Sequence, residues 1–175
     1  MSEASGRTSA RIEPETSWTF MTEAPLKGFS FACEAGRILA WDEGNQLYLL
    51  NAQGESLSST RVRQRIISAV ISAEGSLIAV LCEDRDTGLL ILSADLEIEV
   101  ERNTPMEASF LSVDTHGRYI AIGTRSGPAS LVNRYGRNAG RIETIQPLSH
   151  LCFIAQEPFV VGSAAFGMLT GIELS

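Results

Sequence analysis

The chain has 175 residues, 44% of them apolar, and carries 21 acidic against 14 basic side chains, for a net charge of −7. That is apolar material enough for a folded core, while so acidic a surface repels phosphate backbones and argues against nucleic-acid binding. No run approaches the ~20 apolar residues of a membrane helix. Cys33, Cys82 and Cys152 lie far apart with only His116 and His150 beside them, which gives no structural zinc spacing and points to free thiols in a reducing, cytoplasmic setting.

Residues 1–15 are polar, lack the apolar centre of an export signal, and are expected to be a disordered leader. Residues 16–22 (Thr16-Ser-Trp-Thr-Phe-Met-Thr22) read as a spare outer strand. Four units then follow one another. The first, about 28–62, has strands at 28–33, 37–41 and 45–50, a turn at Asn51-Ala-Gln-Gly54, and a polar outer strand at 56–62. The second, about 66–102, has strands at 67–72, 76–82 and 88–93, and an outer strand at 97–102 whose alternation is plain in Glu97-Ile-Glu-Val-Glu101. The third, about 107–145, has strands at 108–113, 118–123 and 129–132, a turn at Asn133-Arg-Tyr-Gly136, and an outer strand at 139–145. The fourth, about 148–175, has strands at 149–154, 158–162 and 168–174. These are short apolar runs bounded by Gly, Asn, Asp and Ser, as buried strands and their turns require. The segment 62–71 has enough apolar residues to tempt a helix reading, but its β-branched content favours strand.

Two markers give the units a common period. Gly36, Gly75, Gly117 and Pro158 open the second strands, and Gly44, Gly88, Gly127 and Gly167 open the third; each series steps by about forty residues, the period of a four-stranded blade. An all-β fold of four-stranded antiparallel β-propeller blades follows. Ala40, Ala79, Ala121 and Gly162 are expected at equivalent places on the second strands, where inner strands crowd toward an axis.

On these residues the chain resembles the bacterial WD-repeat-like and pyrroloquinoline-quinone-type β-propeller repeats over about residues 16–175. Gly44-Asn-Gln-Leu-Tyr-Leu-Leu-Asn-Ala-Gln-Gly54 is similar to the third strand and turn of a quinone-type repeat, with Gly167–Leu174 a weaker match, whereas the segments around Gly75 and Gly117 look more like WD-type inner strands. The Gly-His and Trp-Asp dipeptides of WD repeats and the docking tryptophans of quinone-type blades are missing from their usual places. Trp41-Asp42 falls where the family does not put that pair, and reads as chance.

The resemblance implies rings of about six to eight blades, so about four blades make an incomplete ring or half-propeller. Three completions stand open: a longer propeller of which this is half, a second copy exchanging strands to build an eight-bladed homodimeric ring, or closure of one chain as a four-bladed ring. In the last two, 16–22 would supply the strand that the fourth unit lacks.

Catalytic patterns are weak. Asp114 and His116 share a turn without the nucleophile and oriented base of a dyad. Glu83-Asp-Arg-Asp86 lacks the ligand alternation of a calcium loop, and Gly162-Ser-Ala-Ala-Phe-Gly167 lacks the Lys of a phosphate loop. No catalytic, cofactor-binding or metal residues are assigned. The sequence therefore predicts a non-catalytic scaffold for protein–protein interaction, completed by a protein partner or a second copy. The alternative is part of a quinone-dependent propeller enzyme or cofactor binder whose site lies outside this chain. Interaction loops are expected at 83–87, 114–118, 124–127 and 134–138. Tyr135, flanked by Arg134 and Arg137, is the aromatic–arginine type enriched at binding hot spots.

Overall fold

Fifteen strands fall into four antiparallel sheets in the computed structural model, which describes residues 15–143, 147–155, 159–164 and 167–173. The expected leader lies outside these residues, apart from Glu15. Blade one comprises β1 (Leu26–Ala32), β2 (Arg37–Asp42), β3 (Gln46–Asn51) and β4 (Ser56–Arg61). Blade two comprises β5 (Ile66–Ile71), β6 (Ile78–Cys82), β7 (Leu89–Leu92) and β8 (Ile98–Arg102). Blade three comprises β9 (Ala108–Val113), β10 (Tyr119–Thr124), β11 (Ala129–Asn133) and β12 (Asn138–Ile142), and blade four comprises β13 (Leu148–Phe153), β14 (Phe159–Ala164) and β15 (Leu169–Glu173). Within each blade the strands pair in chain order, and no helix occurs among the described residues.

The inner strands β1, β5, β9 and β13 lie side by side in succession, and among the described residues β13 makes no comparable approach to β1. The blades form an open arc. Apolar layers fill the gaps between them: Leu39, Trp41, Leu47 and Leu49 of blade one meet Ile78, Val80, Leu90 and Leu92 of blade two. The other face of blade two, with Ala79, Leu81, Leu89 and Ile91, meets Leu111, Ile120 and Ile122 of blade three. Ala121 and Leu131 of blade three meet Leu148, Leu151 and Val160 of blade four. A blade between two neighbours is thus apolar on both sides, so its middle strands show continuous apolar runs. Polar bonds cross the same gaps: Ser30 Oγ accepts from Ile71 N at 3.3 Å and Ser112 Oγ from Phe153 N at 3.0 Å.

Every first strand carries a bulge at one place, between Leu26 and Gly28, Ile66 and Ser68, Ala108 and Phe110, and Leu148 and His150. The bulges and turns give the true alignment of the blades. Ala32 pairs with Arg37, Ser72 N donates to Leu77 O, and Asp114 N donates to Tyr119 O. Arg37, Leu77 and Tyr119 are therefore equivalent, and the expected alignment of small residues is corrected by one position in blades one and four. Ala79 and Ala121 match Leu39 and Val161, whereas Ala40 and Gly162 match Val80 and Ile122. Gly75 and Gly117 are third residues of their turns and Gly36 is a fourth. A one-residue slip moves a side chain to the opposite face; Ala40 looks away from blade two, while Ala79 looks toward blade three.

Candidate functional site

On the face turned to the preceding blade, one inner-strand position is buried in blades two to four and exposed in blade one. Phe29 occupies the position held by Ala69, Leu111 and Leu151; those three are 1%, 8% and 8% exposed, and Phe29 is 57% exposed. Phe31 matches Ile71 and is exposed in the same way. The two phenyl rings meet edge to face at 5.3 Å between centroids. With Leu26, Ile38 and Leu50 they line an apolar groove of about 250 Å³. One wall of the groove comes from residues 16–22. Expected as a strand, this segment forms no ladder and lies instead as a strap over the blade-one face. Trp18 Nε1 donates to Ala52 O at 3.1 Å and its ring covers Gly54. Phe20 packs edge-on against Tyr48 at 5.4 Å. Side-chain anchoring displaced the expected backbone pairing.

The strap is fastened by the buried carboxylate of Asp42. Asp42 is inaccessible to solvent. It accepts hydrogen bonds from Gln46 N (3.0 Å), Ala24 N (3.2 Å) and Tyr48 Oη (2.8 Å), and Tyr48 Oη in turn accepts from Glu23 N at 3.0 Å. Burial is the largest single influence on its carboxyl and works against ionisation. The hydrogen bonds from Gln46, Tyr48, Ala24 and Gly44 together outweigh it and hold the pKa below the ordinary value. At the equivalent position blades two and three carry Cys82 and Thr124, so this anchor belongs to blade one. Gln46 and Tyr48 lie close by in the chain, but no local pattern marks the bonds to Glu23 and Ala24 of the strap.

Asp114, His116, His150, Glu83 and Asp84 each make local polar contacts. Asp114 Oδ1 accepts from Tyr119 N at 2.8 Å and Oδ2 pairs with Arg118 at 3.2 Å, while His116 turns outward to Glu74 of blade two at 2.5 Å. Asp114 and His116 thus serve different partners. His150 is exposed, with Nδ1 at 3.3 Å from Ser149 Oγ and 3.2 Å from Ser163 Oγ. Glu83 pairs with Arg65 at 3.4 Å, and Asp84 caps its own turn through Asp86 N. Among the described residues no group of three or more His, Cys, Asp and Glu side chains is arranged to hold a metal ion. Cys82 is buried and its thiol is pushed up to about 12 by burial, with Asp84 and Glu101 adding to the effect; Cys33 is exposed. A thiol reagent at mildly alkaline pH is expected to modify Cys33 in the folded protein and Cys82 only after denaturation. Mass spectrometry of the labelled peptides checks this, and equal labelling of both sites under native conditions would contradict it.

Tyr135, Arg134 and Arg137 stand together at the tip between β11 and β12. Tyr135 is 69% exposed, and the Arg134 guanidinium sits 6.0 Å from its ring centroid. From the outer strand of blade two, Arg102 reaches the same tip, donating to Gly136 O at 2.6 Å and Asn138 Oδ1 at 3.1 Å. Its burial draws the guanidinium pKa down. Arg102 belongs to a different repeat from Arg134, Tyr135 and Arg137, so no local pattern joins it to them.

No protein-family model and no curated protein matches this sequence. Among solved structures the chain is similar to the β-propeller domain of Cps50 (Swd1) from Myceliophteria thermophila, with a TM-score of 0.68 and 13% sequence identity. The match covers 86% of this chain and 54% of that one. The likeness shows the β-propeller fold, and the chain spans about half the length of that structure. No helix among the described residues is long and apolar enough to cross a membrane.

Proposed function

We propose that the protein is a non-catalytic propeller scaffold of the cytoplasm that works by assembly, its blade-one face packing against a blade of a second copy. The observation that carries this reading is the exposure of Phe29 at a position buried in every other blade. Full burial of a phenylalanine is worth about 1.5–3 kcal/mol, and an exposed aromatic face of this kind favours association. The far end of the arc has matching relief. Val160 faces blade three, so by alternation Val161, Ser163, Cys152 and Gly171 lie on the outward face of blade four. These small residues leave space for the rings of blade one, and Leu169, paired with Ser163 on the same face and 75% exposed, offers an apolar contact. Two copies joined reciprocally, blade one to blade four, would close with twofold symmetry.

Sedimentation velocity across the micromolar range tests the reading. The unmodified chain is expected to form a dimer, and Phe29→Glu to be a folded monomer with an unchanged far-ultraviolet spectrum. A monomer at every concentration, or a dimer that Phe29→Glu leaves intact, would rule the arrangement out.

A further inference from the structure

The turns joining third and outer strands are built alike in blades one to three, so the repeat supplies an internal control. Asn51 Oδ1 accepts from Gln53 N and Glu55 N at 3.0 and 2.9 Å. Ser93 Oγ accepts from Asp95 N and Glu97 N, both at 3.2 Å. Asn133 Oδ1 accepts from Tyr135 N and Arg137 N, both at 3.0 Å. Each turn closes through a residue of positive φ: Gly54 at 78°, Leu96 at 67° and Gly136 at 74°. On this shared frame blade one displays Ala52, Gln53 and Glu55, and blade two Ala94, Asp95 and Glu97. Blade three displays Arg134, Tyr135 and Arg137 at the same places. The frame is satisfied by neutral and acidic residues, so folding does not call for the reversal of charge.

Further positive charge gathers at the same tip. Arg134 N donates to Arg118 O at 2.9 Å, which brings Arg118 alongside, and Arg102 arrives from blade two. Asp114 neutralises Arg118 at 3.2 Å. Among the described residues, Arg102, Arg134 and Arg137 have no carboxylate within salt-bridge distance. On a chain of net charge −7 this is a concentrated basic spot around an exposed aromatic ring. Guanidinium groups bind carboxylates through paired N–H donors, and a tyrosine offers a rigid surface at low entropic cost.

We propose that the 133–137 turn is the docking site for an acidic peptide segment of a protein partner, with carboxylates held by Arg134 and Arg137 and the peptide lying on Tyr135. The patch is one turn wide. The net negative charge of the chain disfavours a long phosphate backbone while leaving room for a short acidic segment. The site belongs to blade three and goes beyond the blade-one association.

The test is fluorescence anisotropy at low salt with a labelled decapeptide of glutamate and aspartate. The triple variant Arg134→Ala/Tyr135→Gln/Arg137→Glu writes the blade-one turn onto blade three. It is expected to bind at least about tenfold more weakly and to melt within about 2 °C of the parent, since no frame contact is lost. The variant Arg61→Gln/Arg63→Gln/Arg65→Gln, which lowers the net charge by the same three units elsewhere, is expected to bind as the parent does. Absence of peptide binding by the parent, equal weakening in both variants, or an unlabelled oligouridylate that competes better than unlabelled peptide would each overturn the proposal.

Discussion

Asp42→Ala is expected to destabilise the protein by about 2–4 kcal/mol, because it leaves buried donors on Tyr48, Gln46 and Ala24 without their acceptor. For a chain of this size that is a fall in melting temperature of roughly 5–15 °C. Tyr48→Phe, which keeps the carboxylate and removes one of its donors, is expected to cost about 1 kcal/mol. Both variants loosen the hold on Glu23 and Ala24, so limited proteolysis should cut the strap around 16–24 sooner than in the parent. The stability contributed by Asp42 also depends on pH in a definite direction. Its carboxyl titrates below the ordinary value in the folded state, so as pH falls the unfolded chain takes up the proton first. The contribution is complete above about pH 4 and is lost as pH drops through the folded value. The stability gap between parent and Asp42→Ala should therefore narrow in acid. A gap that stays constant from neutral pH down to about pH 2 would show that the carboxylate charge is not what holds the strap.

Gly117→Ala is expected to cost more than Gly36→Ala, although both glycines lie in the turn between first and second strands of their blades, with φ of 65° and 61°. At Gly36 an added methyl would meet only Ala52 Cβ, at 4.0 Å, so the penalty is the left-handed backbone alone, about 1 kcal/mol. At Gly117 the methyl would fall 2.7 Å from Leu77 Cβ and 2.9 Å from Ser76 Oγ. Both belong to the neighbouring blade, and overpacking there brings the total to roughly 2–4 kcal/mol. The difference arises because the turns interlock. Glu34 N and Ala35 N donate to Ala73 O, and Glu74 N donates to Thr115 O, so the blade-two and blade-three turns are pressed against a predecessor. Urea titration reads the two costs as shifts in midpoint at constant slope. Equal shifts for the two variants would show that the turn contact does not hold the blades together.

The period of about forty residues, the β-branched runs and the glycine-bearing turns were enough to read an all-β fold of stacked four-stranded sheets, because these features depend on neighbours in the chain. The acidic balance and the wide spacing of the cysteines were legible for the same reason. Facing was not. Ala40 and Ala79 look alike in the sequence, yet Ala40 is the third residue after Arg37 and Ala79 the second after the equivalent Leu77, which turns them to opposite faces, and only the hydrogen-bonded register of β2 with β1 and of β6 with β5 decides between them. The exposure of Phe29 depends on what lies beyond blade one. The role of Asp42 depends on a segment eighteen residues away, and the basic tip draws Arg102 and Arg137 from different repeats. Local sequence determined the blades and their order, since strand and turn preferences act over a few residues. Tertiary structure alone decided which faces are shared, which carboxylate is buried and which arginines meet, since burial and electrostatics act through space.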